Sequence, residues 1–147
     1  PADKMAYFRD ISTYGGCAGA CAAALESARI IEEEHLCENS RIVGEYLLGR
    51  LEELREFPIV GDVRGRGLFA GIEFVEDRKT KQAVSEPFLL GIIKGIADQG
   101  VLVGRTNRSL PGLNNTINLA PALVATKGDI DRIVSAIRNA VAHVSKK

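Results

Sequence analysis

Val60-Gly-Asp-Val-Arg-Gly-Arg-Gly-Leu-Phe-Ala-Gly-Ile-Glu-Phe-Val75 is the stretch that decides the fold. Its second half alternates. Leu68, Ala70, Ile72 and Phe74 share one face of a predicted strand, because successive side chains of an extended chain point to opposite sides. Phe69, Gly71, Glu73 and Val75 take the other face. Gly65 and Gly67 bracket Arg66 and permit positive φ, so Val63-Arg64 can fold back on the following strand as a hairpin. A two-stranded hairpin is marginal in water until something covers its apolar face. The flanking sequence must supply that cover.

Helical patterns lie on both sides. Upstream, Cys17-Ala-Gly-Ala-Cys-Ala-Ala-Ala-Leu25 is rich in alanine, the best helix former, and predicts a helix to about Glu34. Cys17, Cys21 and Leu25 recur every four residues and predict a narrow packing stripe of small side chains. Leu36, Ser40, Val43, Leu47, Leu51 and Leu54 mark a second helix, which Pro58 ends. Downstream, Asp77 to Ser85 reads as a charged connection. Phe88, Ile92 and Ile96, beside Leu89 and Ile93, mark a third helix stopped at Gly100. Val101-Leu-Val103 predicts a short strand, Gly104 to Asn115 an exposed loop, and Thr116-Ile-Asn-Leu119 a further strand. Thr126 and Asp129 have the spacing of a capping box. The last helix carries Ile130, Ile133, Val134, Ile137, Val141 and Val144 on one face. The expected class is α+β: a small, mainly antiparallel sheet with helices packed on one face. Residues 15–147 are expected to form that domain, including its long leading helix, and residues 1–14 read as a linker or the remnant of a larger preceding domain.

Composition narrows the function classes. The chain has 147 residues, 46% of them hydrophobic, with 19 basic and 19 acidic side chains. A net charge of zero offers no general attraction to nucleic acid or to an anionic membrane surface. Arg64-Gly-Arg-Gly67 alone is a weak RNA-binding signal, because no basic stripe with aromatics accompanies it. No apolar run has the length of a membrane span, and no signal peptide is read. Three cysteines, Cys17, Cys21 and Cys37, are too few and odd in number for a disulfide framework, which points to a reducing cytoplasm. A zinc site built from them with His35 would need groups at both ends of a helix roughly 30 Å long to converge. No metal is expected, and the thiols read as small buried side chains.

Two places have chemistry available. Ser12-Thr13-Tyr14-Gly15-Gly16 sets hydroxyls and backbone N–H groups just before a helix, where the helix dipole favours a phosphate. The commoner role of such residues is to cap the helix. Arg105 and Arg108 follow the short strand, and a guanidinium there could hold a carboxylate through paired hydrogen bonds. The commoner role is a solvated surface arginine. No nucleophile elbow or phosphate loop is present, and Gly65-x-Gly67 continuing to Gly71 has the wrong spacing for a dinucleotide site.

Thr13-Tyr-Gly-Gly-Cys-Ala-Gly-Ala-Cys-Ala-Ala-Ala-Leu25 resembles a stretch of the class III pyridoxal-phosphate (PLP) aminotransferases. Gly61-Asp-Val-Arg-Gly-Arg-Gly-Leu68 is similar to another of their motifs. So are Gly100-Val-Leu-Val103 and Leu119-Ala-Pro-Ala-Leu123, and all occur in the family's order. The resemblance implies the C-terminal, small-domain part of a fold-type-I PLP-dependent transferase. It implies that Thr13, with Ser12, binds the phosphate of the neighbouring subunit's cofactor, so the site is shared across a homodimer. It also implies that Arg105, or alternatively Arg108, holds the substrate carboxylate. Three departures stand out. Cys17-Ala18 replaces a pair ending in proline, Ala122 replaces a second proline, and Thr106 to Asn115 is longer than in many relatives.

The family's Schiff-base lysine lies upstream of the Thr13 motif, and neither its context nor that of the cofactor-ring aspartate occurs in residues 1–12. The chain therefore reads as a fragment that starts at Pro1, lacks the large domain, and is inert alone. The expected parent transfers an amino group from an amino acid or amine to a 2-oxo acid such as pyruvate. The competing reading is a stand-alone ligand-binding or dimerisation domain that has lost catalysis, since fold does not fix function.

Overall fold

A computed structural model describes Thr13, residues 15–106, Leu110 and residues 112–145. The chain divides into two compact units, Pro1–His35 and Leu36–Lys147. In the first, α1 (Ala18–Glu33) follows the alanine run. It buries none of its residues, and Cys17 and Cys21 are exposed. The expected burial of the thiols is thus wrong, and Cys37 on the next helix is exposed as well. The reason is local: among the described residues of its unit, α1 has no second element on which to bury a stripe.

The second unit holds α2 (Leu36–Glu52), a 3-10 turn (Glu53–Glu56), β1 (Val60–Arg66), β2 (Phe69–Asp77), β3 (Gln82–Ala83), α3 (Glu86–Ala97), β4 (Gly104–Arg105), β5 (Thr116–Leu119) and α4 (Lys127–Val144). The strands run β1-β2-β5-β4 with β3 added to β2, and every pairing is antiparallel. Register explains the two faces. Val63, Ile72 and Ile117 lie in one row across the sheet, and Ala70 and Leu119 in the next. These residues are buried with Leu47 and Leu51 of α2, Leu89, Ile92 and Ile96 of α3, and Ile130, Val134, Ile137 and Val141 of α4. Arg64, Gly71 and Asn118 occupy the intervening row, on the polar face.

The hairpin sits where expected, with one revision. Gly67 has φ +55°, but Gly65 does not adopt positive φ. Gly65 is required for closeness instead, because a Cβ there would lie 2.5 Å from the Phe69 carbonyl oxygen. Val75 falls on the outer face by alternation and is nevertheless buried, packed over Gly61 and paired with Ala83. Arg78 fastens the end of β2. Its Nε donates to the Val60 carbonyl at 2.9 Å, and its Nη2 donates to those of Arg55 and Phe57 at 2.6 and 2.7 Å.

Two elements differ from the sequence reading. Residues 101–103 are not a strand: β4 begins at Gly104, and Leu102 is 91% exposed. Pairing with β5 occurs at Gly104–Asn118 and Arg105–Ile117, so backbone register rather than apolar character marks this edge. The charged connection contains β3, whose two residues carry no alternation to reveal them. The end of the following loop is not exposed either. Asn115 is buried, donates through Nδ2 to the Phe74 carbonyl at 2.7 Å, and accepts from the Phe74 N–H at its own carbonyl. The helix ends follow their signals. Ser85 caps α3, Gly100 takes φ +79° beyond it, and Thr126 with Asp129 forms the full capping box of α4. Two backbone and hydroxyl hydrogen bonds from Thr126, the backbone one dominant, hold the Asp129 carboxyl below the usual aspartate range. Among the described residues no helix is long and apolar enough to cross a membrane.

Candidate functional site

The two candidate anion positions lie in different units. In the first, Thr13, Gly15 and Gly16 are exposed, and Gly16 has φ +77°. The N-cap of α1 is Cys17, in extended conformation with φ −72°, and no side chain caps the helix there. The first turn has no acidic residue. The capping role therefore does not account for Thr13. The N–H groups that open a helix have no intrahelical acceptor, and the dipole makes this end electropositive. Gly16 and Gly19 have open space where a Cβ would stand. Hydroxyl, backbone donors and absent side chains together fit a phosphate group. Ser12 and Tyr14 lie outside the described residues.

In the second unit, Arg105 stands on the two-residue edge strand β4, opposite Ile117. That register puts it in the row of Val63, Ile72 and Ile117, on the helix-covered side. Its guanidinium reaches the first turn of α3 and donates through Nη1 to Oε1 of Glu86. The two side chains are 29% and 45% exposed. Arg105 is thus not a solvated surface arginine but half of an ion pair open to water. Arg108, its alternative, lies outside the described residues. Sequence reasoning missed Glu86. Ser85-Glu86-Pro87 signals a helix start, and nothing in it signals an arginine partner.

The third cationic position, Arg64 of the hairpin motif, is committed elsewhere. It donates to Asp62 at 2.9 Å and to Glu73 at 2.8 Å on the polar face of the sheet. Burial raises the Asp62 pKa, but the hydrogen bonds from Arg64 and Arg55 outweigh it and hold the carboxyl below its usual range.

An antiparallel sheet covered on one side, an uncapped helix start behind a Thr-x-Gly-Gly turn, and an arginine on the sheet edge are the features to be matched. The profile of the class-III aminotransferases matches residues 2–141. The chain belongs to the class-III aminotransferase family. Aminotransferases of this class are pyridoxal-phosphate-dependent. The chain is similar to the taurine–pyruvate aminotransferase of Rhodobacter capsulatus, with 51% identity over 99% of this chain and 32% of that protein. A Bacillus anthracis aminotransferase structure superposes with a TM-score of 0.88 at 38% identity, over 93% of this chain and 31% of the other. A PLP-bound amine transaminase from an uncultivated Pseudomonas species gives a TM-score of 0.82 at 34% identity, over 92% and 30%. The chain thus spans about a third of the length of these relatives.

Proposed function

We propose that the full-length protein transfers the amino group of taurine, or of a similar amine bearing a terminal anion, to pyruvate. The identity of half the residues to a taurine–pyruvate aminotransferase, sustained over nearly the whole chain, carries this reading. The overall reaction turns pyruvate into alanine and the donor's C–NH2 carbon into an aldehyde. When bound, PLP supplies the electron sink and carries the amino group between the two substrates. The residues of this chain bind and orient. Thr13, with Ser12, donates its hydroxyl to the phosphate of the neighbouring subunit's cofactor. The open backbone at Gly15 and Gly16 and the N–H groups that begin α1 complete the electropositive seat. This arrangement makes the working unit a homodimer. The Arg105 guanidinium holds the sulfonate or carboxylate of the substrate, whose geometry its planar fork matches.

The test is direct. Full-length protein supplied with taurine, pyruvate and PLP is expected to form alanine and 2-sulfoacetaldehyde in equal amounts. The 147-residue chain alone is expected to form neither, because no lysine in it has the family's context for anchoring the cofactor. Alanine formed only with donors that lack a terminal anion would reject the proposed substrate class.

A further inference from the structure

Arg105 stands on β4, the two-residue edge of the sheet, and among the described residues only β5 pairs with that strand. Few rungs therefore hold its backbone. Hydrogen-bonded and non-bonded pairs alternate along an antiparallel ladder. The Thr106 N–H donates to the Thr116 carbonyl at 2.9 Å, so Arg105, opposite Ile117, falls at the non-bonded position between the Gly104–Asn118 and Thr106–Thr116 rungs. The second of these rungs is irregular. A regular ladder would return a bond from the Thr116 N–H to the Thr106 carbonyl. Here the Thr116 N–H donates to the Thr106 hydroxyl instead, at 3.3 Å. The same substitution occurs on the other side of β5. Glu73 pairs with Thr116, which sets Phe74 opposite Asn115. The Phe74 N–H donates to the Asn115 carbonyl at 2.9 Å, and the return bond to the Phe74 carbonyl comes from the Asn115 side chain, through Nδ2 at 2.7 Å. At this end of β5 a side-chain atom completes the rung on either side.

We propose that Thr106 is a positioning residue for the substrate-anion arginine: its hydroxyl completes the rung that fixes the Arg105 backbone and so pre-orders the guanidinium for a sulfonate or carboxylate. This role presupposes that Arg105 is the clamp. Successive side chains of a strand point to opposite faces, so Thr106 acts through the backbone and does not touch what Arg105 holds. Thr116 is buried. Removing the Thr106 oxygen leaves its N–H without an acceptor, or turns the chain to offer the Thr106 carbonyl in its place. Either change disturbs the backbone one residue from Arg105, and that order must then be restored when the anion binds, which lowers affinity. Serine carries the same oxygen; valine has the shape of threonine without it.

The test uses the full-length holoenzyme with Thr106→Val, Thr106→Ala, Thr106→Ser, Arg105→Ala and the double variant Arg105→Ala/Thr106→Val. Valine and alanine both remove the acceptor, so the result does not depend on how either one packs. Each is expected to raise KM for taurine about fivefold, the shift that follows loss of one ordinary hydrogen bond, with kcat unchanged. KM for butylamine should stay the same, and Thr106→Ser should behave as the unmodified protein. In the Arg105→Ala background, Thr106→Val should add nothing. Calorimetric titration with 2-hydroxyethanesulfonate, which has the anion and no amino group, should weaken by the same factor in Thr106→Val. If Arg105→Ala abolishes sulfonate binding while Thr106→Val leaves it unchanged, or raises KM for both donors alike, the positioning role is overturned and the clamp stands. Sulfonate binding indifferent to Arg105→Ala would overturn both.

Discussion

Gly44→Ala is expected to destabilise the protein by about 3 kcal/mol or more. Gly44 is buried on α2 beneath the tip of the hairpin. A Cβ there would lie 2.3 Å from the carbonyl carbon of Gly67 and 2.4 Å from its Cα and oxygen. All three are backbone atoms, so no side chain can turn aside. Gly67 cannot yield easily either, because it holds φ +55° in the hairpin turn and the neighbouring Leu68 N–H donates to Ser40 Oγ at 3.4 Å. The hairpin must therefore lift off the helix, and Val63, Leu68 and Ala70 behind it would lose their cover. Gly49, on the exposed side of the same helix, is the control. Nothing lies within 4 Å of its added Cβ, and Gly49→Ala should stabilise by about 1 kcal/mol through helix propensity. Urea unfolding midpoints should move in opposite directions for the two variants. An equal rise for both would mean that the hairpin does not rest on Gly44.

Arg105→Ala in the full-length enzyme is expected to raise KM for taurine about 10- to 100-fold, the range for losing a charge-assisted hydrogen-bonded anion site. Butylamine, which has no second polar group, should show little change in KM. The asymmetry is the signature, because a variant that merely loosened the fold would affect both donors alike. The edge position makes a clean result attainable. β4 is two residues long, and its pairing with β5 uses backbone groups that alanine retains. Equal effects on both donors would remove Arg105 from substrate recognition.

These two residues also show what the sequence reveals and what it does not. The hairpin was legible because Leu68, Ala70, Ile72 and Phe74 alternate, and α2, α3 and α4 because their apolar residues recur every three or four positions. Strand β5 and the Thr126–Asp129 box follow local rules of the same kind. Gly44 was not legible as critical. A glycine inside a helical pattern says that a backbone can approach, and only the fold shows that the Gly67 turn is what approaches. The apolar run Val101–Val103 misled for a related reason: an edge strand is defined by backbone partners, which at β4 fall on Gly104 and Arg105. The stripe Cys17–Cys21–Leu25 was visible as a face, but a face does not name what covers it. Thr13 and Arg105 came from motif resemblance and from the chemistry of hydroxyl and guanidinium groups. Glu86 lies 19 residues before its partner, and no local periodicity connects them.

The most direct test of the account is the intact mass of the full-length protein after borohydride reduction, followed by peptide mapping. A pyridoxyl group fixed on a lysine, in a protein whose peptides include Thr13 to Lys147 of this chain, is the predicted result. It would establish that these residues serve a PLP-dependent aminotransferase. A full-length protein that carries no such adduct after incubation with PLP would contradict the catalytic reading and leave a binding or dimerisation domain in its place.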